Sequence, residues 1–463
     1  MRRSMGLILA TLILVLPFFS VAETAQRAEH LSDYCRYGAK GGCGHLNFLK
    51  DVNFESEYCF VESGYISISW TEEVAADRIC LLFNRRKAEV SLSIFDGNDR
   101  LLQLESPEEG RMLFIISLPK DARSFRLDCG AGVSVGACKV YGEGLLPKPF
   151  CHNFNETPED LDFLLISTHP DDEVLFMGAV IPICAAEQGY SGTVLYITHK
   201  NAWRLVEAHN GCAVMGLDNY PIFADFLDAL DEHAESTKKN FNYDDILLYL
   251  VRLYRQRRPE VVFTHDLNGE YGHWQHKYVA RAALEAIPLA ADPSCDPESA
   301  QSYGTHQVQK CYLHLYPENQ ILFDTQTPLA AFDGKTAFEV AEAAFLEHGS
   351  QQHSGYAVRD WGEHNMALFG LAYSYKAVEG DGIFDGAFTP TPSPTPTPAP
   401  TPTPTLTPAP TNTLAPTAKP ASTPAPVQAE KDKPASPLLP ILCGVCAALL
   451  LCTLIPLLKK RKK

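Results

Sequence analysis

The sequence predicts an α/β protein with a mostly parallel sheet. A small antiparallel β-sandwich precedes it, and a Pro/Thr-rich stalk and a C-terminal transmembrane helix follow. Three observations carry this. Short alternating strands run from Tyr58 to about Gly144 without an amphipathic helix between them. Strands alternate with helices from Leu161 onward, and a Thr-Pro tract from Thr389 leads into an uncharged run from Leu438 to Leu458.

At the N-terminus, Arg2 and Arg3 precede an apolar core from Leu7 to Phe19, then the small residues Ser20, Val21 and Ala22. This pattern predicts a secretory signal over residues 1–22. The run Leu438–Leu458 matches the ~20 residues a spanning helix needs. The basic tail Lys459–Lys463 behind it is expected to stay in the cytoplasm. The expected topology is a single-pass protein of the cell membrane with its bulk outside. Proline fixes φ and lacks an N–H, so residues 389–437 are expected to form an extended stalk. A net charge of −17 argues against nucleic acid as a partner.

Fourteen cysteines are present, eleven of them outside the apolar C-terminal run, and an odd number cannot all pair. Cys35 with Cys43 and Cys129 with Cys138 are the close candidates, but spacing does not fix connectivity. No CxxC occurs outside the membrane segment, which disfavours a cysteine zinc site.

For the front region, residues 30–150, the expected strands are Tyr65–Trp70, Arg78–Phe83, Ala88–Phe95, Arg100–Glu105, Arg111–Leu118, Ser124–Cys129 and Ser134–Gly142. Turn residues at Asp96–Arg100 and Ser106–Gly110 separate them. The stretches "IFDGNDRLL" and "VSVGACKVYG" loosely resemble discoidin-type, galactose-binding-like jelly rolls. Such domains bind glycans or serve only as structure, and the sequence leaves both open.

In residues 155–388, buried strands are expected at Leu161–Thr168, Ser191–His199, Glu260–Asp266 and Gln309–Pro317. Helices are expected at Glu173–Gly189, Trp203–Gly216, Tyr243–Pro259 and His273–Ile287. Ligands of such sheets bind beyond the carboxyl ends of strands. Two polar clusters fall there: "HPDDE", His169 to Glu173, and "HDLNGEYGHWQH", His265 to His276. His169 and Asp172 offer ordinary zinc ligands, and His273 and His276 share one helix face. Two histidines and a carboxylate leave a position for water, as a catalytic zinc site does. Asp171, next to a ligand, suits a general base. An acidic helix cap explains the first cluster alone, but not both clusters at strand ends of one sheet.

"THPDDE" followed by "GEYGHWQH" resembles the PIG-L/LmbE-like N-acetylglucosaminyl deacetylases, whose A-H-P-D-D-E motif here begins with Thr168. "RLVEAHNGCAVMGL" and "FEVAEAAFLEHGSQ" are similar to two further family segments. The resemblance covers about residues 161–351 and implies a Rossmann-like fold with a zinc-dependent N-deacetylase activity. It maps zinc to His169, Asp172 and His276, the general base to Asp171, and the carbonyl-polarising or oxyanion-stabilising histidine to His273. The family commonly has a small glycine-containing loop after the second strand, where this chain has "THKNAWR". His199, Trp203 and Arg204 of that loop are the expected substrate contacts. The expected activity is removal of acetyl from an N-acetylglucosamine-containing glycan at the cell surface. The alternatives are a tethered glycan-binding protein without turnover and a zinc hydrolase of another amide.

Overall fold

The computed structural model describes residues 26–51, 54, 56–106, 110–229, 240–376 and 382–384. The expected signal peptide, stalk, membrane helix and basic tail lie outside these residues. Among the described residues no helix is long and apolar enough to cross a membrane.

Alternation of apolar and polar residues builds the front region. Its strands are β1 (Arg36–Cys43), β2 (Tyr58–Ser69), β3 (Arg78–Arg86), β4 (Val90–Asp96), β5 (Leu101–Glu105), β6 (Leu113–Ser117), β7 (Ala122–Cys129) and β8 (Val133–Tyr141). They form one continuous antiparallel sheet in the order β5-β4-β7-β2-β8-β3-β6, with β1 added on β2. Strand β2 makes the corner. Its start, Tyr58 and Cys59, pairs with β8, and its end, Gly64–Ser69, pairs with β7. All eleven described cysteines carry free thiols. The suggested pairing of Cys35 with Cys43 is not realised, because Cys35 is buried and its S–H donates to the Leu31 carbonyl while Cys43 is exposed.

The second region holds β9 (Phe163–Ser167), β10 (Gly192–His199), β11 (Ile222–Leu227), β12 (Val261–Thr264), β13 (Lys310–His314), β14 (Gln320–Leu322) and β15 (Leu368–Ser374). Their order is β11-β10-β9-β12-β13-β15-β14. The first five are parallel, and β15 lies antiparallel to both β13 and β14. Strands β9, β10, β12 and β13 are buried along their whole length, as a sheet covered on both faces requires. The strand order reverses direction between β9 and β12, which makes their carboxyl ends the switch point.

The helices are α1 (Asp172–Leu175), α2 (Ala202–Val214), α3 (Tyr243–Arg257), α4 (Trp274–Ala291), α5 (Pro297–Tyr303) and α6 (Ala337–Phe345). The Asn201 side chain caps α2, and the Asn242 side chain caps α3 by accepting the Asp244 and Asp245 N–H groups. The helix expected over Glu173–Gly189 is not continuous. After four residues of α1 it passes through turns into a π-helical segment, Ile181–Glu187, that carries Pro182. Proline supplies no N–H to an α-ladder, so the chain takes the wider turn. Gly189 ends it at φ +76°, as expected.

The two regions share one apolar core, which includes Leu82, Phe83 and Val135 on one side and Phe163, Tyr196 and Phe223 on the other. Their seam is close. Gly136 leaves no room for a side chain against Ala202, and Phe223 N–H donates to the Gly110 carbonyl at 2.9 Å. Asp225, at φ +57°, accepts from the Arg85 guanidinium and the Arg86 N–H, both at 3.2 Å. The front region thereby covers β11, the outer strand of the parallel part of the sheet.

Candidate metal centre

The turn after β9 and the loop after β12 meet at the switch point. Thr168 N–H donates to His265 Nε2 at 2.9 Å and ties the two loops together. Past this tie, His169 and Asp172 come from one loop and His276 from the first turn of α4.

Three atoms converge here. His169 Nδ1 lies 3.1 Å from Asp172 Oδ2 and 3.2 Å from His276 Nε2, and His276 Nε2 lies 3.2 Å from Asp172 Oδ2. A tetrahedral zinc with bonds of about 2.0–2.1 Å holds its ligands ~3.3 Å apart, so the spacing fits. The outer nitrogens fix the tautomers. His276 Nδ1 donates to Glu270 Oε2 at 2.7 Å, and His169 Nε2 donates to Gln275 Oε1 at 3.0 Å. With both histidines neutral, each inner nitrogen presents a lone pair, facing the other lone pair and the Asp172 carboxylate. One proton cannot satisfy all three atoms, and a cation at their centre can.

Charge agrees with geometry. Burial works against ionising Asp172, but His276 and His169 outweigh it and hold the carboxyl well below the usual range. Burial likewise opposes protonated histidine, yet Asp172 outweighs it and drives His169 up to about 10 and His276 up to about 9. Without a metal, the positive charge beside Asp172 is carried as protons on these two histidines, which a bound metal ion would displace.

Two neighbouring histidines also fall within ligand range of parts of this set. His265 is excluded as a ligand by its bonds: Nε2 already accepts from Thr168, and Nδ1 donates to Glu270 at 2.9 Å. His273 accepts the Gln275 N–H on Nδ1, which leaves its proton on Nε2. Burial, then His276 and His169, push its pKa down to about 3, so it is a neutral donor at the pocket wall.

Glu270 went unassigned in the sequence. Fully buried, it accepts from His265 and His276 on one oxygen and from His314 Nδ1 (2.7 Å) and the Asp266 N–H (3.1 Å) on the other. One carboxylate thus orients three imidazoles, the role of a partner behind a metal ligand. His314 ends β13, and Asp228, 3.6 Å from His169 Nε2, follows β11. Position at a strand's carboxyl end was the signal that would have found both.

Asp171 sits at φ +125°, a conformation that L side chains rarely adopt. Glu173 holds it there: its Oε2 accepts the Asp171 N–H at 2.8 Å, and its Oε1 lies 3.0 Å from His348 Nε2. The Asp171 carboxylate meets the Arg204 guanidinium at 2.9 Å. Burial, partly offset by Arg204, pushes Asp171 up to about 7, which suits a group that takes up and releases a proton near neutrality. Behind it, Arg204 lies 3.7 Å from Glu207, which accepts the Ser350 N–H and hydroxyl at 2.6 and 2.7 Å. The "RLVE" and "EHGSQ" segments, far apart in sequence, are joined in one chain of charges ending on Asp171.

The three expected substrate contacts separate. Arg204 lines the pocket with its charge committed to Asp171. His199 also lines it, but is buried, and its Nε2 donates to the Asn84 carbonyl of β3 at 2.7 Å. Trp203 is 40 % exposed and lies outside the pocket lining, because the first turn of α2 points it to solvent. The pocket itself, about 220 Å³, is bounded by His169, Asp171, Asp172, His273, Tyr271 and Tyr356 among others.

A 1D-myo-inositol 2-acetamido-2-deoxy-alpha-D-glucopyranoside deacetylase of Catenulispora acidiphila is 29 % identical over 215 residues, covering 40 % of this chain and 66 % of that protein. The chain spans about half to two thirds of the length of the curated relatives it matches. The N,N'-diacetylchitobiose deacetylase of Pyrococcus horikoshii is 18 % identical and covers 42 % of this chain and 70 % of that one, with a TM-score of 0.34. The lectin domain of Lectinolysin is 12 % identical, covering 25 % and 97 %, with a TM-score of 0.21. Residues 164–287, from β9 into α4, match the family model described as PIG-L: GlcNAc-PI de-N-acetylase, so the chain carries a PIG-L family domain.

Proposed function

We propose that the chain is a zinc-dependent hydrolase that removes an acetyl group from an N-acetylglucosamine-containing glycan at the cell surface. The observation that carries the metal is the convergence of His169 Nδ1, Asp172 Oδ2 and His276 Nε2 with both histidine tautomers fixed from behind. The similarity to deacetylases of a 2-acetamido sugar supports the reaction and the sugar. Location at the membrane rests on the sequence pattern of the two chain ends.

His169, Asp172 and His276 would hold the zinc, which when bound supplies a Lewis acid that acidifies water and polarises a carbonyl. Asp171 takes the proton of the attacking water on its carboxylate and returns it to the leaving amine nitrogen. Arg204 keeps that carboxylate aimed, and Glu173 keeps its backbone in place. His273 donates its Nε2–H to the oxygen that gains charge as the carbonyl is attacked. The products are acetate and a free amino sugar.

The test is zinc content together with acetate release from a panel of N-acetyl sugars and wall fragments, with and without chelator. Wild type is expected to bind about one zinc and to release acetate from at least one N-acetylglucosamine compound. Equal acetate release by wild type and His276→Ala, with no metal in either, would overturn the reading.

A further inference from the structure

Cys43 and Cys59 stand directly opposite each other where β1 runs antiparallel to β2. Opposed residues of an antiparallel pair project from the same face with Cα atoms about 4.5–5.5 Å apart. That separation lies inside the range of about 4.4–6.8 Å that a disulfide spans. The ladder shifts register once, between Lys40 and Gly42, and two glycines fit the register that follows. A Cβ on Gly42 would fall 2.2 Å from the Tyr58 ring, and one on Gly44, at φ +125°, would fall 3.0 Å from the Glu57 carbonyl. Moving β1 along β2 would drive a side chain into one of these places. Access differs between the two thiols: Cys43 is exposed and Cys59 half-buried. The thiols of Cys80, Cys129 and Cys138 are buried, and that of Cys35 is turned to the Leu31 carbonyl.

We propose that Cys43 and Cys59 form a cross-strand disulfide when the chain meets an oxidising disulfide, either a small molecule or a protein. The exposed Cys43 sulfur, as thiolate, attacks the external disulfide and releases one thiol. Cys59 then attacks the Cys43 sulfur of the mixed disulfide and releases the second. Two thiols lose two hydrogens and two electrons, and the external disulfide is reduced to two thiols. The bond fastens β1 to the start of β2, two residues from Glu57. The Glu57 carboxylate accepts from the Asn84 amide, the Ser134 hydroxyl and the Cys59 thiol, and the disulfide replaces the last of these bonds. Asn84 in turn offers its carbonyl to His199 of the pocket wall.

The purified full chain in detergent is treated with oxidised glutathione, alkylated without reduction, digested and analysed by mass spectrometry. The expected product is one linked peptide pair containing Cys43 and Cys59, two hydrogens lighter than the separate peptides. Alkylation of both cysteines, a glutathione adduct left on Cys43, or a link from Cys43 to Cys35 would each overturn the proposal. Thermal unfolding gives a second reading that does not depend on catalysis. Oxidant is expected to raise Tm by ~3–6 °C in wild type and not in Cys43→Ser or Cys59→Ser. An equal rise in either variant would also overturn it.

Discussion

The two regions treat buried charge in different ways. Among its described residues the front region buries one lysine, Lys139, whose ammonium sits 4.4 Å over the Phe54 ring. The α/β region buries Asp171, Asp172, Glu173, Glu207 and Glu270 together with His265, His276, His314 and His348. Each of those carboxylates has a cationic or N–H partner within about 3 Å, for Asp172 the His169 backbone N–H. A lone buried charge costs stability, whereas a paired network costs little and leaves a structure that only its full set of partners can hold. The comparison therefore separates residues whose loss removes chemistry from residues whose loss changes only stability.

The largest break should come from the ligand set. In His276→Ala, bound zinc is expected to fall to a trace and acetate release by on the order of 10³-fold or more, read by metal analysis and an acetate assay. Next comes the carboxylate behind the ligands. Glu270→Gln keeps the shape but lets three imidazoles turn, and zinc affinity should drop ~10–100-fold in a chelator competition. An unchanged affinity would show that Glu270 does not orient His276. Arg204→Ala should leave zinc content intact and lower kcat by ~10–100-fold, because Asp171 loses the group that aims it. Loss of metal in that variant would contradict the division between base and ligands.

The remaining two concern stability. Burial pushes the Lys139 ammonium down from 10.5 to about 8, so the unfolded chain binds this proton more tightly than the folded one. The penalty is full below pH 8 and fades as pH rises from about 8 toward 10.5. Lys139→Met should therefore stabilise the protein by ~2 kcal/mol at pH 7 and lose that advantage at high pH, seen in denaturant midpoints at the two pH values. Asp225→Asn keeps a side chain that tolerates positive φ but weakens the seam with Arg85, for a loss of ~1 kcal/mol. Parallel urea titrations of wild type and variant measure it, and no change would mean that the seam rests on apolar packing alone.

Much of this was legible because it is local. Strands β3 to β8 follow the alternation of the sequence to within a few residues, and the ligands sit in two short motifs. Strand β1 was missed because "RYGAKGGC" has three glycines and no alternation, and pairing with β2 forms it. Pro182 broke the expected long helix, a signal present in the sequence but outweighed by apolar periodicity. Contacts between distant positions were not legible. Nothing local tells that Arg204 reaches Asp171, that Ser350 reaches Glu207, or that His265, His276 and His314 share Glu270. Trp203 follows from the same limit. Its place in the loop after β10 suggested the pocket, and only the direction of the first turn of α2 shows otherwise.

The cover over β11 has a practical consequence. An uncovered outer strand offers unpaired N–H and C=O groups to any other strand that meets it. Here Gly110 and Arg86 of the front region occupy that side through Phe223 and Asp225. A chain cut near residue 155 to isolate the α/β region would bare this strand and half of the shared core, and is expected to self-associate. Recombinant work on the site should therefore keep the front region, residues 30–150, even if every question asked concerns the α/β region.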